Sequence, residues 1–288
     1  MKTRLATLAL LALFVPLLAG CGKQPASRAR SANEPPPVPP AASMKFDFNS
    51  FFEQRGAAQV HAAHPNGVDA TAAKSNWINA VTRVVYFNLT VADLFSAPIL
   101  ALQAALNTEP VLGDDGWFTW TFSFTDKGHD VTLRLRARID GAIVSWRMLV
   151  TDPQATPAMQ DFAWFTGETR LQNDRGFWIF NDRRNGEAVA VARIDWNNVS
   201  ERDRSLAFQN VDTVSADFGD RLEYRVADVL GSITFFDAST ATSADITWNE
   251  LDGTGSLKVP DYNNGERACW DEHQENRVCP AEATFAQR

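Results

Sequence analysis

Cysteine is scarce here, with three in 288 residues, and histidine nearly as scarce with four. A structural zinc site wants four ligands at tight spacing, and no such set stands out. Four histidines also offer few general bases. The G-x-S-x-G, H-E-x-x-H and P-loop patterns are all missing, so the sequence leans away from an enzyme, and no cofactor or metal is expected. An excess of Lys and Arg is missing too. The chain has 27 basic and 35 acidic residues, a formal charge of −8, more negative still once Lys2 and Arg4 leave with a leader. That balance excludes nucleic acid as a partner, because phosphate backbones need basic clusters. It also disfavours electrostatic attachment to anionic lipid. No apolar run is long enough for a transmembrane helix of about 20 residues. Residues 5–18 fall short, and residues 75–107 are interrupted by Thr82-Arg83 and Asn88-Leu89-Thr90.

The N-terminus carries what is present. Lys2 and Arg4 precede an apolar stretch that ends in small Ala19 and Gly20, the pattern of a secretory signal peptide over residues 1–20. Leu18-Ala19-Gly20-Cys21 resembles the lipobox of bacterial lipoproteins. In that family the cysteine sulfur receives a diacylglycerol, the signal is cut before it, and the new amino group is acylated. The resemblance implies a lipidated Cys21 and a protein anchored to the membrane through N-terminal acyl chains without spanning it; two or more chains give a stable hold. Gly22 stands where aspartate would favour inner-membrane retention, which leans the expected location towards the outer membrane of the cell envelope. Residues 21–43 are built mainly from Pro, Ala, Ser and charged residues and are expected to form an extended tether.

An exported chain meets an oxidising compartment. Cys269 and Cys279 are therefore expected to form a disulfide, closing a short loop that contributes up to about 3 kcal/mol. A metal site drawing on His273, or two free thiols, are the alternatives.

A single domain is expected over residues 44–288, of α+β class. Residues 50–63 suit a short helix ended by Pro65-Asn66-Gly67; His61 and His64 within it read as surface side chains. Trp77, Val81, Val84, Asn88, Val91 and Phe95 follow helical spacing, with Ser75 or Asn76 as the cap. Val85, Leu89 and Ala92 widen the apolar arc, predicting a helix buried on most sides. Pro98 is expected to break or kink it, with a second helix over residues 99–106. From Gly116 the period becomes two. Phe118, Trp120, Phe122 and Phe124 alternate with Thr119, Thr121 and Ser123, and Val131, Leu133, Leu135, Ala137 and Ile139 alternate with Thr132, Arg134, Arg136 and Arg138. Asp140-Gly141 signals a hairpin turn, and Val144, Trp146, Met148 and Val150 return. Further strands are predicted at residues 161–166, 176–180, 187–196, 204–211, 221–226, 232–236, 244–250 and 256–259. This is a large antiparallel β-meander with one apolar face. N-terminal helices should pack on that face as the sheet curls, a half-barrel being one form of it.

Of nine tryptophans, the seven from Trp117 to Trp248 recur about once per strand or hairpin. Most read as core, since Trp suits strands and buries a large area. Trp117 alternates away from Trp120 and reads as the exposed ring. Arg134, Arg136 and Arg138 form a basic stripe that either pairs with acids such as Asp195 or Glu187 across strands or holds an anion. Trp117 and these three arginines are the candidate ligand-binding residues, and none is assigned as catalytic. The sequons at Asn88 and Asn198 are read as chance matches. "GWFTW", "VSWRM", "FAWFTG", "GFWIF", "RIDW" and "CWD" before a second cysteine resemble a group of uncharacterised lipoproteins of Gram-negative bacteria, over roughly residues 77–279. That resemblance implies location and fold only. The expected function is binding, of an unknown small-molecule, lipid or protein ligand, without catalysis. Two alternatives stand beside it: a lipid or lipoprotein carrier or acceptor resembling half-barrel sorting proteins, and a glycan hydrolase built on a carboxylate pair.

Overall fold

Eleven strands make up the body of the sheet: β2 (Phe118–Asp126), β3 (His129–Asp140), β4 (Ile143–Asp152), β5 (Met159–Arg170), β6 (Arg175–Arg184), β7 (Glu187–Ser200), β8 (Asp203–Asn210), β9 (Arg221–Ala227), β10 (Leu230–Asp237), β11 (Thr242–Asn249) and β12 (Gly255–Lys258). Three short ones flank them: β1 (Val111–Leu112), β13 (Ala268–Trp270) and β14 (Asn276–Arg277). In the computed structural model all fourteen form one antiparallel sheet, ordered β1 to β14 as in the sequence and not closed. The structure describes residues 33–52, 72–200 and 202–280. Pro35 to Arg288 forms one compact unit, and Asn33 and Glu34 belong to the unit before it.

The period of two decides the faces. In β3, Leu133, Leu135 and Ala137 are buried, while Arg134, Arg136 and Arg138 alternate with them. The β3–β4 turn is Gly141-Ala142, one residue later than the Asp140-Gly141 signal suggests, because Asp140 still pairs with Ile143. Gly141 takes φ 58°, which suits the first position of a tight hairpin turn. The sequence misses β1, β13 and β14, which are too short to show a period.

Two crossings fill the apolar face. Pro35 to Phe52 runs across the end of the sheet that carries the β5–β6 turn. It includes a 3-10 turn (Ala41–Ser43) and α1 (Asn49–Phe52). Asn173 Nδ2 donates to the Val38 carbonyl at 2.7 Å, and Trp178 Nε1 donates to Ser43 Oγ at 3.1 Å. Phe48 stands edge-on to Tyr224, and Phe51 edge-on to Trp248. The return crossing is α2 (Ser75–Leu106), 32 residues long. Phe87 meets Phe235 of β10, Phe95 meets Phe180 of β6 and Phe208 of β8, and the helix also contacts β2 and β3. At about 1.5 Å per residue α2 is about 48 Å long. The eleven steps from β2 to β13 would cover about 53 Å in a flat sheet. A helix touching both ends therefore spans nearly the whole sheet, which fits a curled meander.

Several expectations change. The folded unit begins at Pro35, not Met44: Pro36 and Pro39 are buried, Val38 packs against the core, and Ser43 is 1 % exposed. Proline suits this path because it has no N–H to leave unsatisfied. The helical part is smaller than expected. Pro98 kinks α2 without breaking it, and residues 75–92 and 94–106 meet at 50°. The bend lies one turn before Pro98, where the proline ring crowds the carbonyl of Leu94. Nor is α2 buried on most sides, since Val85 and Leu89 are exposed. Its cap is not Ser75 or Asn76. Asn276 Oδ1, from β14, accepts the Asn76 N–H at 3.0 Å. Of the predicted helix over residues 50–63 only the first turn is described; His61 and His64 lie outside the described residues.

Cys269 and Cys279 are joined, with Cα atoms 5.2 Å apart. The bond ties the last described residues to β13, whose Cys269 carbonyl accepts from Asn76 Nδ2 at 2.7 Å. The double variant Cys269→Ser, Cys279→Ser is expected to lose up to about 3 kcal/mol, read as a lower denaturant midpoint with a slope that stays level or steepens, because the freed unfolded chain exposes more surface.

Candidate functional site

An apolar hollow of about 700 Å³ lies between the second half of α2 and the strands β2 to β5. Ala97, Leu100, Ala101 and Ala104 form its helical wall. Phe122, Phe124, Val131, Leu133 and Val150 come from β2, β3 and β4, and Met159, Phe162 and Trp164 from β5. Small alanines on the helix face large aromatic side chains on the strands without closing the gap. The hollow is open to solvent: Phe124 is 40 % exposed and Leu100 64 %. No ionisable side chain lines it. Its chemistry is therefore burial of apolar surface, at about 0.8 kcal/mol per methylene.

Next to the hollow's strands, where β3 begins and β4 ends, His129 Nδ1 and Asp152 Oδ2 lie 2.9 Å apart. The hydrogen bond with His129 is the largest cause holding the Asp152 carboxyl below the usual range, and N–H groups of Gln154 and Ala155 add to it. Arg184 does the same to Asp212 through two hydrogen bonds at 2.5 and 2.7 Å, and Arg136 to Asp115. Each folded-state pKa lies below its unfolded value, so the stability it confers is present above about pH 4 and is lost as pH falls through the folded pKa. The melting temperature is expected to hold from neutral pH to about 5 and to fall below about 4; a rise on acidification contradicts this.

The basic stripe divides. Arg136 and Arg138 stack on Trp117, at 5.1 and 5.0 Å from its ring centroid, and Arg147 joins them at 4.9 Å. Arg134 instead pairs with Asp161. Trp117 is not an exposed ring: it is 6 % exposed, covered by these side chains on the face opposite Trp120. Cation–π packing explains this, since three guanidinium groups share one indole. Arg147 stands directly across from Arg136, a partner that the sequence analysis missed because it needs the β3–β4 register. Arg193, not part of the stripe, is the residue that pairs with Asp195.

A smaller recess of about 190 Å³ lies at the other end of the sheet, beside Lys45, Asp47, Trp196, Asn197 and Arg204. Trp196 Nε1, Asn197 Oδ1 and Arg204 Nε have no hydrogen-bond partner there. Among the described residues no group of three His, Cys, Asp or Glu is placed to hold a metal.

Sequence reasoning missed the hollow. Its one trace is the alanine-rich second half of α2 set against aromatic strand ends, and only the docking of the two shows the gap. Cys21 lies outside the described residues. No protein-family model, no curated protein and no solved structure matches this chain.

Proposed function

We propose that this chain is a lipid-anchored protein of the cell envelope, leaning to the outer membrane, that takes an acyl chain into the hollow beneath α2 and catalyses no reaction. The hollow is the observation that carries the reading. Its volume, about 700 Å³, falls in the roughly 300–1,000 Å³ range of small-ligand sites, and its all-apolar lining favours a hydrocarbon chain over a substrate for carboxylate chemistry. The curled open sheet with a helix across its apolar face supports reading the fold as a half-barrel, the form shared by lipid and lipoprotein carriers. Leu18-Ala19-Gly20-Cys21 and the likeness to Gram-negative lipoproteins support the address.

Two measurements test this. Native mass spectrometry of the detergent-purified mature protein is expected to show a co-purifying lipid, and a fluorescent fatty acid should bind and be displaced by unlabelled chains; a ligand-free protein that ignores the probe refutes the hollow's role. Separately, Cys21→Ser is expected to move the protein from the membrane fraction to the soluble one, and unchanged fractionation refutes the anchor.

A further inference from the structure

The outward face of α2 carries large apolar side chains that no described residue covers, set among the exposed Thr82, Thr90, Ser96 and Gln103. Tyr86, Leu89 and Leu100 are 67, 62 and 64 % exposed. Tyr86 and Leu89 stand three residues apart, close to one helical turn, before the bend in α2, and Leu100 follows after it, so the stripe they form is bent with the helix. Val85 and Leu94 widen it at 39 and 47 %. Elsewhere the exposed faces of the strands are largely polar or charged, and large exposed apolar patches mark interaction surfaces.

We propose that this stripe rests on the bilayer surface, which sets the hollow against the lipids. Three observations select a lipid surface. First, charge: past Arg83, which is paired with Asp261 at 2.6 Å, the helix sequence holds a single charged residue, Asp93. By spacing Asp93 falls on the same face, so the stripe offers a charged protein partner a single carboxylate to read, while large apolar residues with an amphipathic Tyr suit the headgroup boundary. Second, continuity: Leu100 belongs to the stripe and also to the wall of the hollow. A surface seated on the stripe therefore adjoins the cavity, and a chain could pass between them without crossing water. Third, reach: thirteen residues lie between Cys21 and Pro35, at most about 50 Å of extended chain. An acylated Cys21 would keep α2 at a high effective concentration beside the bilayer, so a weak second contact suffices. No single described helix is long and apolar enough to cross the membrane, although the two bent arms of α2 together pass by length and composition; the proposed contact is a docking on the surface.

The proposal rests on the lipid-binding reading of the hollow and on the anchor, and its test separates from both. Single variants Tyr86→Cys, Leu89→Cys and Leu100→Cys of the mature lipidated protein are tagged with a polarity-sensitive dye. Glu223→Cys, exposed on β9, is the control. Each is reconstituted into phosphatidylethanolamine–phosphatidylglycerol vesicles, with and without a nitroxide-bearing lipid. Dyes at positions 86, 89 and 100 are expected to shift to the blue and lose most of their emission to the nitroxide, while the dye at 223 keeps its emission. Equal quenching at all four positions overturns the proposal. So does a blue shift that is present without lipid, which would show the chain itself covering the stripe. A shift that follows protein concentration and not lipid overturns it in favour of a second copy. A protein that binds the fatty-acid probe but shows no quenching loses only the docking, and one quenched but unable to bind the probe loses only the hollow.

Discussion

Trp178→Ala is expected to remove roughly 3–5 kcal/mol of stability, a large share of the about 5–15 kcal/mol that holds a typical domain. Trp178 is fully buried in the central strand β6. It meets Phe165 edge-on with ring centroids 5.6 Å apart, and its Nε1 donates to Ser43 Oγ. Truncation opens a cavity the size of an indole and leaves the buried Ser43 hydroxyl without its donor. Because Ser43 belongs to the first crossing, the loss also loosens the N-terminal segment from the sheet. Trp178→Phe should cost only about 1–2 kcal/mol, since the ring packing largely survives. Denaturant titration followed by circular dichroism checks both; a loss below about 1 kcal/mol for the alanine variant would mean that the segment and sheet are not coupled through this ring.

The site of that tryptophan is shared with a glycine. Gly167 lies directly across from Trp178, and a Cβ there would collide with the indole and the Phe177 carbonyl. The same notch recurs where Trp248 covers Gly231 and where Trp270 covers Gly255. Large ring against bare backbone fixes strand register, because a slip of one residue would turn the ring to the other face.

Ala104→Trp is expected to abolish most fatty-acid binding, lowering affinity at least tenfold, which is about 1.4 kcal/mol. Ala104 lines the hollow from the helix side and is only partly buried. An indole there projects into the space that the ligand's methylenes would fill, and it covers Phe122 or Phe162 in their place. Since the new ring fills a gap without displacing packed atoms, the melting temperature should stay level or rise. Probe fluorescence together with thermal denaturation decides the matter: undiminished binding in a folded variant would place the ligand elsewhere.

Much of the sheet was legible, since a period of two repeated over long strands leaves little choice of face. The predicted strand at residues 187–196 lies within Glu187–Ser200, and that at 221–226 within Arg221–Ala227. Leu133, Leu135 and Ala137 face inward as their spacing says. The disulfide was legible as two cysteines ten residues apart in a chain read as exported. Trp117 was misread because alternation tells only which face a ring is on, and Arg136, Arg138 and Arg147 cover it from neighbouring strands. The stretch from Pro35 to Ser43 was misread because its composition hides a few contacts, Val38 and Ser43 above all, that matter only once the sheet has curled.

The residues themselves determined most of the secondary structure and the meander, because propensity, alternation and turn chemistry act between near neighbours in the chain. The tertiary structure decided the hollow and the bare stripe on α2. Both depend on how far a helix stands from strands up to some 70 residues away in the sequence. That distance is set by the size of alanine on one side and of aromatic rings on the other, and by a kink at Pro98, meeting in three dimensions.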